Sequence, residues 1–247
     1  MYVAASSRCF PDRPFEQAAQ TLTDLGFDQL EVCLQPSGEG LSLERVVASP
    51  EEFAAGYRDA TRLTPVTLTL FESPDPSAHD ALTKAAKLLR VGTIVVPAGD
   101  QGTPFNEEID RLRELARVAG VNGIRLAIRT QRGRMAGDPE SATELCKHVP
   151  GLGLSLDPAE FVSAGISDDQ WTPVYEKVFH VQLRDATTED EQVPLGLGSV
   201  DHAKIITALE KAGYRQALSV DLLPGGIEGD DRLLEMRKTR RLLDTLL

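Results

Sequence analysis

The sequence predicts a closed (β/α)8 barrel in one domain spanning residues 1–247. Three observations carry that prediction. Short apolar runs alternate with helix-patterned segments along the whole chain, which implies a parallel sheet. Eight such repeats share the chain, so each occupies about 31 residues (247/8), the size of one strand–helix unit. No glycine-rich dinucleotide fingerprint follows the first run, which disfavours an open, doubly wound sheet.

The strands are expected at Tyr2–Ala5, Gln29–Leu34, Pro65–Leu70, Thr93–Pro97, Ile124–Arg129, Leu152–Asp157, Phe179–Leu183 and Ala217–Leu222. Helix starts between them are signed. Ser49-Pro-Glu-Glu52 reads as a capping box with proline at the first helical position. Thr103-Pro104 and Asp138-Pro139 repeat the order of cap and then proline. Gly26, Gly92, Gly120 and Gly213 each follow a helical run and suit the left-handed residue that ends it.

Composition narrows the function. The formal charge of −12 disfavours nucleic acid, whose phosphates need a basic stripe. No run approaches the roughly 18 apolar residues of a membrane span. The N-terminal MYVAASSRCF lacks a basic flank and an apolar core, so no signal peptide is expected and the cytoplasm is the expected location. Three cysteines (Cys9, Cys33, Cys146) at unrelated spacings suggest neither a disulfide framework nor a zinc knuckle. An acidic surface and unpatterned helices are compatible with a homodimer but do not argue for one.

In such barrels chemistry gathers at the C-terminal ends of the strands. There the second strand places Glu31 and Cys33, the third leads into Glu72, and the fourth opens into Pro97-Ala-Gly-Asp100. The fifth ends in Arg129 and Gln131, the sixth in Asp157 with Glu160 beyond, and the eighth in Asp221. On the seventh, His180, Gln182 and Arg184 share one face by the two-residue period.

These segments resemble the xylose-isomerase-like barrels, the sugar phosphate isomerases and epimerases related to endonuclease IV. LGFDQLEVCL (25–34) is similar to the family's second strand with Glu31 in place, and LSLDPAEF (154–161) to its sixth strand and aspartate. FHVQLRDA (179–186) is similar to its His-x-His-x-(Lys/Arg)-Asp segment, and residues 196–223 to its seventh loop, helix and eighth strand. The resemblance implies a metal held by a glutamate, an aspartate, a histidine and a glutamate ending strands five to eight. Residue by residue these positions are Arg129, Asp157, Gln182 and Asp221. A further family histidine, three residues after the aspartate, is Glu160.

Arg129 thus stands where a metal-binding carboxylate would stand. Opposite unit charges about 4 Å apart attract by about 4 kcal/mol at an effective dielectric of about 20, and a divalent ion would feel roughly twice that as repulsion from a guanidinium. Histidine supply agrees: of four, His79, His148 and His202 fall on predicted helices, leaving His180 on a strand. No metal cofactor is therefore expected. An all-oxygen magnesium or manganese site from Asp157, Asp221, Glu31 and Glu160 stays open as the alternative.

The reading is a metal-independent isomerase- or epimerase-like protein for a small hydroxylated carbohydrate, neutral or anionic. Asp221 or Glu160 would act as base and Arg129 would stabilise the developing oxyanion. Glu31, Glu72, Asp157, His180, Gln182 and Arg184 would bind substrate, with Arg8, Arg132 and Arg134 as further arginines of the mouth. A non-catalytic, ligand-binding barrel remains the rival, in which Arg129 only neutralises the site by a salt bridge. On the first reading, Asp157, Gln182 and Asp221 converge. Arg129 then reaches Asp157 or Asp221 and keeps one edge open to a pocket.

Overall fold

The computed structural model describes residues 1–247, the side chains of residues 76 and 77 excepted. Eight strands pair in sequence order and the last returns to the first, so the all-parallel sheet is a closed barrel. They are β1 (Tyr2–Ser6), β2 (Gln29–Leu34), β3 (Thr64–Leu70), β4 (Thr93–Pro97), β5 (Arg125–Arg129), β6 (Leu152–Leu156), β7 (Val178–Leu183) and β8 (Ala217–Val220). All eight fall within two residues of the expected bounds.

The helices are α1 (Phe15–Asp24), α2 (Leu43–Ala48), α3 (Pro50–Ala60), α4 (Pro76–Leu89), α5 (Phe105–Val121) and α6 (Pro139–His148). After them come α7 (Pro158–Ser163), α8 (Asp168–Trp171), α9 (His202–Lys211) and α10 (Gly229–Leu246). Period-two alternation sorts each strand. Leu30, Val32 and Leu34 of β2 join the apolar core. Glu31, between them, reaches across the barrel to Gln182 of β7. The 3.6 period does the same for helices: Ala18, Ala19, Leu22 and Leu25 are buried in or just after α1, and Ile109, Leu112, Leu115 and Ala119 in α5.

Ser49 Oγ accepts from the Glu52 amide at 3.2 Å and Asp138 Oδ2 from the Ser141 amide at 2.7 Å, each with proline at the first helical position. Gly26 and Gly213 take the left-handed conformation, with φ of 85° and 83°. Three expected helix ends differ. Pro104 itself caps α5, because the Thr103 amide closes a turn onto the Asp100 carbonyl at 3.0 Å. Gly120 lies inside the last turn of α5, and Gly123 (φ 72°) takes the left-handed role. At the end of α4 that role falls on Arg90 (φ 60°, ψ 32°), not Gly92, at a steric cost of about 1–2 kcal/mol for a residue with a Cβ.

A strap, residues 185–200, joins β7 to α9 and crosses the C-terminal end of the barrel. Its anchor is the buried Asp185 carboxylate. This one group accepts from four backbone amides: Gly196 at 2.8 Å, Ala186 at 3.0 Å, Gly198 at 3.1 Å and Val200 at 3.2 Å. Gly198 must be glycine, because a Cβ there would run into both that carboxylate and the Ala186 carbonyl. Asp185→Ala strips the acceptor from donors worth about 1–3 kcal/mol each when left buried. We expect it to cost roughly 3 kcal/mol in urea unfolding. Amide exchange should quicken at Gly196, Gly198 and Val200 while β1–β6 stay protected.

Candidate functional site

Strand ends β5 to β8 and the start of β1's loop bring three guanidiniums and three carboxylates together. At the centre is Arg129, whose Nη2 lies 3.3 Å from Asp157 Oδ2, 3.9 Å from Asp221 Oδ2 and 4.0 Å from Glu160 Oε1. Arg184 bridges two of the same acids, Nη1 donating to Asp157 and Nη2 to Glu160 at 3.0 Å. Its Nε donates to the Glu191 carbonyl of the strap at 2.9 Å. Arg8, two residues past β1, grips both Asp221 oxygens, Nε donating to Oδ1 at 2.6 Å and Nη2 to Oδ2.

Local structure explains each placement. Asp157 caps α7 through the Ala159 amide at 3.2 Å, with Pro158 at the first helical position. One turn later Glu160 turns back toward the barrel, and its Oε2 accepts from the Arg132 amide at 2.8 Å. Asp221 follows β8 directly and donates its amide to the Leu183 carbonyl at 3.0 Å.

Below this lattice the barrel interior stays polar. Glu31 Oε1 accepts from Gln182 Nε2 at 2.7 Å and Thr69 Oγ1 at 2.8 Å, while Oε2 faces His180 Nε2 at 3.1 Å. That last pair has the distance of an ion pair without the alignment of a hydrogen bond, so both atoms retain unused capacity. Ser155 Oγ, Ser219 Oγ, Gln182 Oε1 and Arg129 Nε are likewise buried without a hydrogen-bond partner.

Above, a cavity of about 680 Å3 opens beside the ends of β1, β2 and β3, lined by Arg8, Phe15, Cys33, Gln35, Phe71 and Glu72 among others. The Phe71 ring carries two cations, with Arg8 Cζ 4.7 Å and Arg129 Cζ 5.3 Å from its centroid. Arg8 therefore belongs to both cavity and lattice. Phe71 went unrecognised in the sequence, although an aromatic directly before the strand-end Glu72 was the available signal. Cys33 is no nucleophile, since burial and the nearby Glu31 and Asp221 carboxylates push its thiol well above the usual range.

Electrostatics separates the acids. Burial alone would push the Asp221 carboxyl up. Arg8, Arg129 and Arg184 outweigh it and hold the group well below the usual carboxylate range. Burial pushes the Asp157 carboxyl up, and the neighbouring Glu160 and Asp221 charges add to this against the pull of Arg184 and Arg129.

Asp157, Glu160, Arg129, Arg184 and Asp221 thus meet in one lattice, and Glu31, His180 and Gln182 in the layer beneath. Glu72 stands apart, exposed on the cavity rim. Two expectations need correction. Asp221 is unsuited to be a base, because a carboxylate held so strongly by guanidiniums has little proton affinity. Arg129 keeps no open edge, being 3% exposed beneath Phe71 and among its acids. Of the outer arginines, Arg132 pairs with Glu191 and Arg134 with Asp100.

A family profile described as a xylose isomerase-like TIM barrel matches residues 18–245. The chain belongs to that family. No protein of curated function matches it. Among solved structures, a xylose isomerase-like TIM barrel protein from Mycobacterium smegmatis in complex with magnesium aligns with TM-score 0.76 and 18% identity, covering 99% of this chain and 96% of that one. The probable 3-DHS dehydratase AsbF from Bacillus anthracis aligns with TM-score 0.75 and 16% identity over 97% and 98%. The 3-keto-D-glucoside 4-epimerase YcjR from E. coli aligns with TM-score 0.72 and 16% identity over 99% of both.

A divalent metal in this xylose isomerase-like barrel would have to share space with Arg129 Nη2. Among the described residues no group of three or more His, Cys, Asp and Glu side chains is placed to hold an ion. Asp157, Glu160 and Asp221 already accept from guanidiniums, and Glu31 accepts from Gln182 and Thr69. Among the described residues His180 alone brings an imidazole into the barrel interior, where it faces Glu31. This donor set does not fit a divalent cation.

The two aspartates should respond oppositely to charge removal. Asp221→Asn leaves Arg8 without its buried partner and should cost about 3–5 kcal/mol at pH 7, whereas Asp157→Asn removes a charge that burial already disfavours and should cost less. Stability from Asp221 is complete above its unfolded value near 3.9 and is lost only as pH falls through its depressed folded value. The penalty from Asp157 is relieved as pH falls from its raised folded value toward about 3.9. Urea unfolding of both variants at pH 7 and near pH 4 checks the order, and equal losses at pH 7 would contradict it.

Proposed function

We propose that this barrel binds a small hydroxylated carbonyl compound bearing an acidic group, and isomerises or epimerises it without a divalent metal. The observation that carries this reading is Arg129 Nη2 within 4.0 Å of three carboxylates, the place a shared cation would take. The family match supports a sugar isomerase or epimerase-like chemistry. The names of several structural relatives, an L-ribulose 3-epimerase and a D-allulose 3-epimerase among them, point the same way.

The substrate would enter by the cavity at β1–β3, its acidic group against Arg8 and its apolar face on the half-buried Phe71 ring. Glu160, at 9% exposure the most accessible acid of the lattice, is the base. Its carboxylate takes the proton from the carbon beside the carbonyl, and the electron pair moves onto the carbonyl oxygen. Arg129, whose Nε has no hydrogen-bond partner, meets the charge that develops there once the Phe71 ring moves off it. Return of the proton by Glu160 to the neighbouring carbon, after an enediol shift, yields an isomer. Protonation of the opposite face by a solvent water yields an epimer, with Glu160 then releasing its proton to solvent. Arg184 and the Arg132 amide hold Glu160 in position.

One observation favours a second reading, a binding barrel without turnover. Every acid of the lattice already accepts from a guanidinium or backbone donor, so Glu160 must loosen from Arg184 to work. Incubation with ketoses and keto-acid sugars in D2O separates the two. Deuterium should appear beside the carbonyl with the wild-type protein. Glu160→Gln should slow that exchange by about 100-fold or more while sparing binding. Saturable binding with no exchange would leave only the second reading.

Metal dependence gives an independent check. Chelator treatment should leave exchange unchanged, and the purified protein should carry no stoichiometric divalent ion. The double variant Arg129→Glu with Gln182→His restores the family's ligand types at both positions and should gain manganese affinity by calorimetry. A correctly folded double variant that binds no metal would mark Arg129 as an ordinary structural ion pair.

A further inference from the structure

The opposite, N-terminal end of the barrel holds a second cavity, of about 230 Å3, whose lining includes Thr67, Arg90, Thr93, Arg125, Phe179 and His180. At about 30 Å3 per water this has room for a small oxyanion and part of its hydration shell. It lies below the roughly 300–1,000 Å3 typical of larger ligands.

Strand pairing is irregular around this cavity. Pairing slips between Leu30 and Glu31 against β3, and between Leu154 and Ser155 against β7. The extra residues are Val66 and Phe179, and both line the cavity. Bulges gather at barrel rims and re-aim side chains there. Here they bring Val66 and Phe179 to the cavity lining without opening the sheet.

Charge is the second feature. The chain carries 38 acidic against 26 basic residues, yet no Asp or Glu lines this cavity. Arg125 lies over Phe179, Cζ 4.9 Å from the ring centroid, and spends one of its five N–H donors on Thr93 Oγ1 at 3.1 Å. Among the described residues neither Arg125 nor Arg90 has an acidic partner within ion-pair distance.

The third feature is strain. Arg90 is the one non-glycine residue with positive φ among those described. It takes the helix-ending position that glycine fills without penalty. Strain of this kind collects at ligand clamps, where a side chain is needed that glycine lacks. The fourth is His180, 1% exposed, whose ring lines the cavity and makes no aligned hydrogen bond.

We propose that this N-terminal mouth binds a small oxyanion, a phosphate or carboxylate group, held by the guanidiniums of Arg90 and Arg125 with the His180 ring at its floor. Arginine forks suit either group. The site does not depend on the reading of the C-terminal end. Through His180 it borders Glu31, so occupancy at one end reaches the polar layer beneath the lattice.

Inorganic phosphate and malonate, titrated separately at constant ionic strength, test it by calorimetry and by the His180 ring resonances. Saturable binding of either with a His180 shift supports the site, and the tighter anion identifies the group. Arg125→Met should weaken binding at least about tenfold. Arg90→Gly should do the same with an unchanged or raised melting temperature, since glycine relieves the backbone, so loss of binding cannot be blamed on unfolding. Arg8→Met, at the other mouth, should leave this affinity intact. Binding lost in Arg8→Met but kept in both other variants would overturn the proposal. So would the absence of saturable binding for both anions.

Discussion

The upper half of the barrel is organised around one nitrogen atom, Arg129 Nη2, set between Asp157, Glu160 and Asp221. Three carboxylates cannot share a dry space without cations, and Arg129, Arg184 and Arg8 supply three. Each cation also ties the lattice to something else. Arg184 reaches the strap, Arg8 joins the loop after β1 to β8, and Arg129 stacks under Phe71. Replacing such a network whole by apolar residues is often harmless to stability, whereas removing one member is costly. Net stability alone is therefore a poor account of why the lattice is there.

The fold was legible because burial writes itself into the sequence at fixed periods. β2 shows this plainly: Leu30, Val32 and Leu34 face the helices and Glu31 and Cys33 face inward, and the run ends where its residues stop alternating. The helix ends that were misplaced are those where local chemistry is ambiguous. Proline after threonine is compatible with an extended cap as well as a first helical residue, and Thr103 is taken by a turn. Glycines near a helix end compete for one left-handed position. Nothing local announces that Arg90 would take it ahead of Gly92.

The site was legible as a set of strand ends but not as a pattern of pairs. That Arg129 would lie among carboxylates follows from its position on β5 and the barrel's closure. Which acid would be neutralised most depended on Arg8, which sits in a loop whose direction the sequence does not specify. Arg8 grips both Asp221 oxygens and fixes that group as an anion, while Glu160 is held by Arg184 and the Arg132 amide. The role of Phe71 was harder to read for a similar reason, since the cations it carries, Arg8 and Arg129, come from other strand ends.

Arg8 and Asp221 are separated by 213 positions in the chain, and their bond crosses the β1–β8 seam where the barrel closes. Contacts so distant in sequence bear the full entropy of loop closure before they return anything. Until the seam forms, the lattice lacks a cation, and its acids can remain solvated only while water reaches the open edge. Closure expels that water and supplies the missing guanidinium in the same step. A half-closed barrel would hold desolvated acids without their partner, so such intermediates are disfavoured. The charge lattice thus acts as a latch on folding cooperativity, coupling the first strand to the last.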